Sequence, residues 1–313
     1  MLHHGEMTTD RPTHTPVLLR EVLELLDPQP GDRVLDATVG LAGHAAELLR
    51  AVGPQGLLIG LDVDDANLEV ARNVLRQIGD NFVLIRANFR DVSRTLPEVG
   101  QGPVQRILAD FGPSSNQLDD PGRGLSFQHD GPLDMRLDSR LPTTAADLLN
   151  RLGEHELSDL IYLNSQERFS RRIARQVCRD RRDKRLTRTS ELVGTVCRAL
   201  KVSPTSHREK IHPATRVFQA LRIAVNAELD AIEEFLPQIP ALLTPGGRIA
   251  AISFHSLEDR LVKRAFRESK QRNIYTLVTK QPVIADRQER QANPRSRSAK
   301  LRVAERTDQP IET

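Results

Sequence analysis

An alternation repeated between Arg33 and Asp110 constrains this chain more than any other feature. Short apolar runs, too brief to be buried helices, alternate with stretches of helical period. Val34-Leu35 runs into Asp36 and the helical stretch Ala45–Ala51 follows; Leu57–Leu61 runs into Asp62 and Ala66–Ile78 follows. Phe82–Ala87 ends near Asn88 and Phe89, and Val104–Ala109 ends at Asp110. Continuous apolar strands separated by helices belong to a parallel sheet covered on both faces. Such sheets place ligands outside the carboxyl ends of their strands, which is where this chain repeats a polar residue.

The alternation then stops. From about Leu141 to Lys201 the period is helical, with helices expected over Ala145–Arg151, Glu156–Leu163, Phe169–Arg181 and Glu191–Leu200. After Pro213 a longer amphipathic helix is expected to about Phe235, with Phe218, Leu221, Val225, Leu229 and Ile232 along its apolar face. Leu243-Thr-Pro-Gly-Gly247 reads as a turn into a strand at Arg248–Ile252, and Ile274–Thr279 and Ala299–Ala304 are β-prone. The expected fold is therefore α/β. A Rossmann-like sheet domain is discontinuous in sequence (residues 1–116 and 213–313), and an all-helical domain inserted at 117–212 serves substrate recognition. A chain of 313 residues accommodates that division.

Between the first strand and its helix lies a glycine turn, Asp36-Ala-Thr-Val-Gly-Leu-Ala-Gly-His44. Gly40 and Gly43 are present, but Ala42 and Ala45 take the other two glycine positions of a dinucleotide nest, which weakens a pyrophosphate reading. A cofactor without phosphate still needs close backbone approach but no anion nest. Asp62, at the end of the second strand, is placed to accept ribose hydroxyls. A glycine turn with a later acid also occurs in α/β proteins that bind nothing there. Asp110-Phe-Gly-Pro-Ser-Ser115 stands where amino-directed methyltransferases carry a short polar loop with proline. The match is loose, and an ordinary strand-end loop is the alternative.

Charge bears on the partner. The net charge of +3 suits a polyanion but does not require one. Its distribution says more. From Glu167 to Arg188 the bases are Arg168, Arg171, Arg172, Arg175, Arg179, Arg181, Arg182, Lys184, Arg185 and Arg188, opposed only by Glu167, Asp180 and Asp183. A second cluster near the end holds Arg287, Arg290, Arg295, Arg297, Lys300, Arg302 and Arg306. A solvated helix face is the plain alternative to a phosphate grip. With no tryptophan and two tyrosines, a nucleic-acid contact is expected to rest on charge and a few Phe and His side chains. Cys178 and Cys197 lack metal spacing and read as reduced helix residues, so no metal is expected. The polar start and the absence of a membrane-length apolar stretch point to a cytoplasmic protein away from membranes.

Several segments, taken in order, resemble the bacterial small-subunit rRNA cytosine-N4 methyltransferase family (MraW). They are His14–Leu19, Asp36–His44, Ser114–Leu118, Arg123–Phe127, Gly131–Arg136, Glu167–Ala174, His212–Arg222, Gly246–Arg248, Ile252–Arg260 and Asn293–Ser298. The resemblance implies a class I S-adenosylmethionine methyltransferase sheet, with S-adenosyl-L-methionine as cofactor. It implies N4-methylation of one cytidine of 16S rRNA, in the P-site and decoding region of the 30S subunit. A homodimer is compatible with it. The implied cofactor site is Ala42, Gly43 and His44, with Asp62 on the ribose, Phe89 against the adenine, and Asp110 and Gln117 completing the pocket. Two departures matter: the family usually has glycine at Ala42, and an aliphatic loop where this chain has Asp110-Phe-Gly-Pro. Alanine at position 42 is strained if the backbone there needs a positive φ, which would weaken cofactor binding.

For catalysis Asp110 is the expected acceptor for the amino protons of the target base; holding the cofactor's amino group is an alternative role for it. No cysteine is placed as a nucleophile, which argues against C5 methylation. Ser114, Ser115, Arg222, Asn226 and His255 are expected on the substrate side of the cleft, with Gln219 on the same helical stripe. Arg171, Arg172 and Arg175 are expected on phosphates. A DNA amino-methyltransferase and a catalytically silent RNA-binding relative remain the alternative functions.

Overall fold

The computed structural model describes residues 16–203 and 212–310; His14 and Thr15 of the first matching segment lie outside them. Seven strands, β1 (Arg33–Asp36), β2 (Leu57–Asp62), β3 (Phe82–Arg86), β4 (Val104–Asp110), β5 (Leu243–Ser253), β6 (Tyr275–Leu277) and β7 (Lys300–Arg306), form one sheet in the order β3-β2-β1-β4-β5-β7-β6. β1 to β5 run parallel, and β7 runs antiparallel to both β5 and β6. The chain leaves β1 toward β2 and β3, then returns to its other side with β4. That reversal opens a crevice at the carboxyl edge between β1 and β4.

Helices α1 (Leu19–Leu26), α2 (Gly43–Val52), α3 (Asp65–Leu75), α4 (Val92–Glu98) and α5 (Ser115–Asp119) accompany the first four strands. Then come α6 (Ala145–Arg151), α7 (Glu154–Ser165), α8 (Ser170–Asp183), α9 (Thr189–Leu200) and α10 (Ala214–Asn226). α11 (Glu228–Phe235) and α12 (Ile239–Leu242) lead into β5, and α13 (Ser256–Gln271) and α14 (Arg287–Ala292) follow it.

Alternate strand residues feed opposite faces of the sheet, as the pleat requires. Val34, Leu58, Leu108 and Ala250 pack with Leu48 and Leu49 of α2 and Val22 of α1. Leu35, Ile59, Ile107 and Ala251 pack with Phe235 of α11 and Phe266 of α13. A third core has its own membership: Leu149, Leu157, Ile161, Ile173, Val177, Val196 and Leu221, drawn from α6 through α10.

Two expectations need correction. The helix expected from Pro213 to Phe235 is two helices, broken at Ala227, whose φ is +47°. Val217 and Leu221 of α10 serve the third core, whereas Ile232 and Phe235 of α11 serve the sheet. One straight helix could not face both, and an unbroken apolar spacing conceals the change of direction. The turn expected at Leu243–Gly247 lies inside β5: Leu243 pairs with Val104 and Arg248 with Arg106, so the intervening residues bulge from the strand. Gly246 makes the bulge with φ +74°. Among the described residues no helix is long and apolar enough to cross a membrane.

Candidate active site at the carboxyl edge

β1, β2 and β4 end in Asp36, Asp62 and Asp110, and the parallel register brings all three to one edge. Asp36 is buried; its Oδ1 accepts the Thr38 N–H at 3.1 Å, and burial followed by the Asp62 charge pushes its pKa up to about 7. Thr38 Oγ1 in turn accepts the Asp110 N–H at 2.7 Å. Burial pushes Asp62 up to about 6, although its Oδ1 accepts from Asp64 N at 2.8 Å and its Oδ2 from Gly40 N at 3.0 Å and Asn67 Nδ2 at 3.2 Å. Oδ1, with one donor, keeps a lone pair for a further one.

Asp110 differs from its neighbours. Burial, then the Asp36 and Glu258 charges, hold it well above the usual carboxylate range. Its Oδ1 is buried with no hydrogen-bond partner among the described residues, and its Oδ2 lies 3.6 Å from His44 Nδ1. The other ring nitrogen of His44 is 2.9 Å from the Val17 carbonyl. An unpartnered buried carboxyl oxygen is costly in an isolated protein, and a cationic or hydrogen-donating ligand removes that cost.

Ala42, ahead of α2, has φ +63°, so the strained alternative holds. Its methyl is fully buried and belongs to the core of Val17, Leu18 and Val22 rather than to the crevice. The left-handed backbone costs about 1–2 kcal/mol, and burying the methyl offsets about 0.8 kcal/mol of it. Gly43 has no such latitude, because a Cβ there would sit 2.6 Å from Pro16 Cγ. The second departure, Phe111, also turns inward. Buried Phe111 packs with Phe89 at 5.6 Å between centroids and with Phe235 at 6.4 Å, and Phe89 lies 5.2 Å from Phe235.

Gln117 belongs to a polar bridge between the ends of β2 and β4. Its Oε1 accepts from Ser114 N at 3.0 Å and its Nε2 donates to Asp64 Oδ2 at 2.9 Å. Arg123 pairs with the same Asp64 oxygen at 2.6 Å. Asn67 donates to Ser114 Oγ at 3.2 Å and accepts from Asn116 Nδ2 at 2.9 Å. Sequence reasoning gave Thr38, Asn67 and Arg123 no role. Thr38 and Arg123 lie inside the matching segments, which was a usable signal; Asn67 is a polar helix residue without one.

Arg222, Asn226 and His255 meet at the junction of α10 with the end of β5, where each is already engaged. Arg222 forks both oxygens of Glu228 at 2.9 Å. Asn226 accepts from Leu137 N at 2.7 Å and donates to Met135 O at 2.8 Å, so it fixes that loop. His255 caps α13, accepting the Glu258 N–H at Nδ1 over 3.3 Å. Its Nε2 is 3.2 Å from Glu258 Oε1 without hydrogen-bond alignment. Burial and then Arg222 lower His255 to about 3, and burial raises Glu258 to about 7. Ligand atoms of Glu228, His255 and Glu258 lie within 4.8 Å of one another, a spacing that could hold a cation; Arg222 supplies the positive charge there. Ser115 opens α5, and its carbonyl accepts from Arg295 at 3.4 Å.

Arg171, Arg172 and Arg175 are exposed along α8, although Arg172 also donates to Ala199 O at 2.6 Å and Arg175 pairs with Glu154 at 3.3 Å. The later cluster is less available than its sequence suggests. Arg302 is buried against Asp259 at 2.7 Å, Arg295 pairs with Asp119 at 3.0 Å, and Arg306 donates to the Leu243 carbonyl.

This geometry can be set beside known proteins. A model of the MraW methylase family matches residues 11–307, nearly the whole chain. The chain belongs to the MraW methylase family. Its donor is S-adenosylmethionine, and its sheet is that of a class I methyltransferase. A Geobacter sulfurreducens protein named ribosomal RNA small subunit methyltransferase H is 47% identical over 309 residues, covering 94% of this chain and 99% of its own. A relative of the same name from Acidobacterium capsulatum is 45% identical over 301 residues, covering 95% and 99%. An rRNA methylase structure from Streptococcus thermophilus aligns with a TM-score of 0.42 at 12% identity, covering 93% of this chain and 94% of that one. The Ala42 methyl and the Phe111 ring are both absorbed by the core.

Proposed function

We propose that this protein methylates ribosomal RNA of the small subunit, at the exocyclic N4 of one cytidine in the decoding region. The observation that carries this reading is Asp110: a half-buried carboxyl whose buried Oδ1 has no partner among the described residues, at the chain reversal of a methylase sheet. Relatives across nearly the full length carry the small-subunit rRNA name.

The bound donor supplies an electrophilic methyl on a positively charged sulfur. Ala42, Gly43 and His44 would border its place, Asp62 would accept from the ribose hydroxyls, Phe89 would flank the adenine, and Asp110 and Gln117 would close the other side. The N4 lone pair is delocalised into the cytosine ring, so a hydrogen-bond acceptor that pyramidalises the amino group lowers the barrier. Asp110 is that acceptor. As N4 gains the methyl group, Asp110 would take one amino proton on its carboxylate. A carboxyl whose affinity for protons is raised by burial is suited to this. Thr38 holds the Asp110 backbone in place.

The base must leave any stack to reach the edge. Ser114 and Ser115 border its entry, Arg222, Asn226 and His255 shape the α10 wall, and Arg171, Arg172 and Arg175 hold phosphates. The division into a donor-binding unit (1–116 and 213–313) and an inserted recognition unit (117–212) is part of the proposal. α10 joins the two, with its apolar side chains in the third core and Arg222 on Glu228.

The test is transfer of labelled methyl to small subunits from cells lacking the protein, followed by nucleoside analysis. N4-methylcytidine is expected. Label at another nucleoside refutes the base assignment, preferential label in naked DNA favours a DNA amino-methyltransferase, and donor binding without transfer favours a silent relative.

A further inference from the structure

All nine phenylalanines and both tyrosines lie within the described residues, and only Tyr162 and Phe169 are exposed, at 54% and 50%. Both sit at one place, the corner where α7 turns into α8, together with Leu163 at 65% exposure. Large side chains scattered singly over a surface need no explanation, but an aromatic pair and a leucine at one corner do.

The corner is firmly built. Tyr162 O accepts the Gln166 N–H at 2.7 Å where α7 ends, and Phe169 N donates to Glu167 Oε1 at 2.9 Å. Buried Glu167 is paired with Arg216 of α10 at 3.5 Å, which ties the corner to the helix joining the two units. Arg172 lies over the Phe169 ring at 5.6 Å while it is anchored to Ala199 O. Exposed Arg168 and Arg171 flank Phe169 along the chain.

We propose that the α7–α8 corner is a stacking site for an unpaired RNA base, with Tyr162 and Phe169 against the base and the neighbouring arginines on its phosphates. This rests on the reading of RNA as the substrate. Two exposed aromatic side chains beside cations match what single-stranded nucleic acid offers: a π-face on every base and a charge on every link. The arginines select a polyanion over a second copy of the same basic surface, which would bring like charges together.

The chain has no tryptophan, so Tyr162→Trp and Phe169→Trp each install a unique fluorophore at the corner. A ten-nucleotide single-stranded RNA is expected to quench both, and a duplex RNA of equal charge to quench them far less. Tyr162→Ala and Phe169→Ala should each weaken binding of that single strand about tenfold, with the salt slope unchanged. Phe169→Leu, which keeps apolar bulk without the ring, should lose nearly as much as alanine. Unquenched tryptophans, or wild-type affinity in both alanine variants, overturns the inference. So does a corner whose alanine variants abolish self-association while leaving RNA affinity intact. Methyl transfer by the wild-type protein to small subunits, measured alongside, separates the two ideas. Transfer with unquenched tryptophans sinks only this site, whereas no transfer sinks the functional reading.

Discussion

The carboxyl edge of the sheet and the outer face of α8 both concentrate charge, in opposite ways. At the edge, Asp36 is buried, Asp62 and Asp110 are desolvated, and all three are held above their ordinary pKa. On α8, Arg171, Arg172 and Arg175 are exposed at the surface. Desolvated charge acts at short range and depends on a fitted partner. Solvated charge acts through the ionic atmosphere and accepts any polyanion. On the proposed reading the edge takes one small ligand and the helix a phosphate backbone.

The comparison predicts separable losses. Asp110→Asn should lower the transfer rate constant about a hundredfold or more, with RNA affinity unchanged; a single-turnover assay beside an RNA titration checks both. Asp62→Ala should weaken donor binding about ten- to a hundredfold by calorimetry and leave RNA binding alone. Equal loss of both would mean that the two regions are not independent. Changing Arg171, Arg172 and Arg175 together to Gln should weaken RNA binding and flatten its dependence on log salt by about two units for a single strand. Donor affinity in that variant should stay level as salt rises.

Smaller effects follow from protonation. Asp36, Asp62 and Glu258 bind protons more tightly in the folded chain, at about 7, 6 and 7. Their contribution to stability is full below the unfolded carboxyl range near about 4 and is lost as pH rises through 6 to 7. Melting temperatures should fall over that window, and Asp36→Asn should flatten the fall. A cationic donor opposes it, so stabilisation by donor should grow with pH across the same window. Ala42→Gly is the smallest change, because strain relieved and methyl lost nearly cancel: melting should show a shift of less than about 1 kcal/mol.

Much of this was legible in the sequence. The β1–β4 runs, and the carboxylates that end β1, β2 and β4, follow from apolar continuity and a polar residue at the end of each run. The helix at Ala145–Arg151 has the bounds its spacing predicts. What the sequence concealed depends on direction rather than composition. The break at Ala227 and the bulge at Gly246 are backbone reversals inside apolar patterns that continue through them. The roles of Thr38 and Asn67 arise from hydrogen bonds between segments distant in sequence, to Asp110 and Ser114. Buried Arg302 looked like a surface base because its partner, Asp259, lies on another element. The exposure of Tyr162 and Phe169 is not legible in the sequence, because composition does not show which aromatics reach the surface.

A crystal grown with S-adenosylmethionine bears most directly on the account. It should show the ribose hydroxyls on Asp62 and the sulfonium methyl facing the side of the crevice where Asp110 Oδ1 lies. Donor bound at any other place on the molecule, with the β1–β4 crevice filled by solvent, would contradict it.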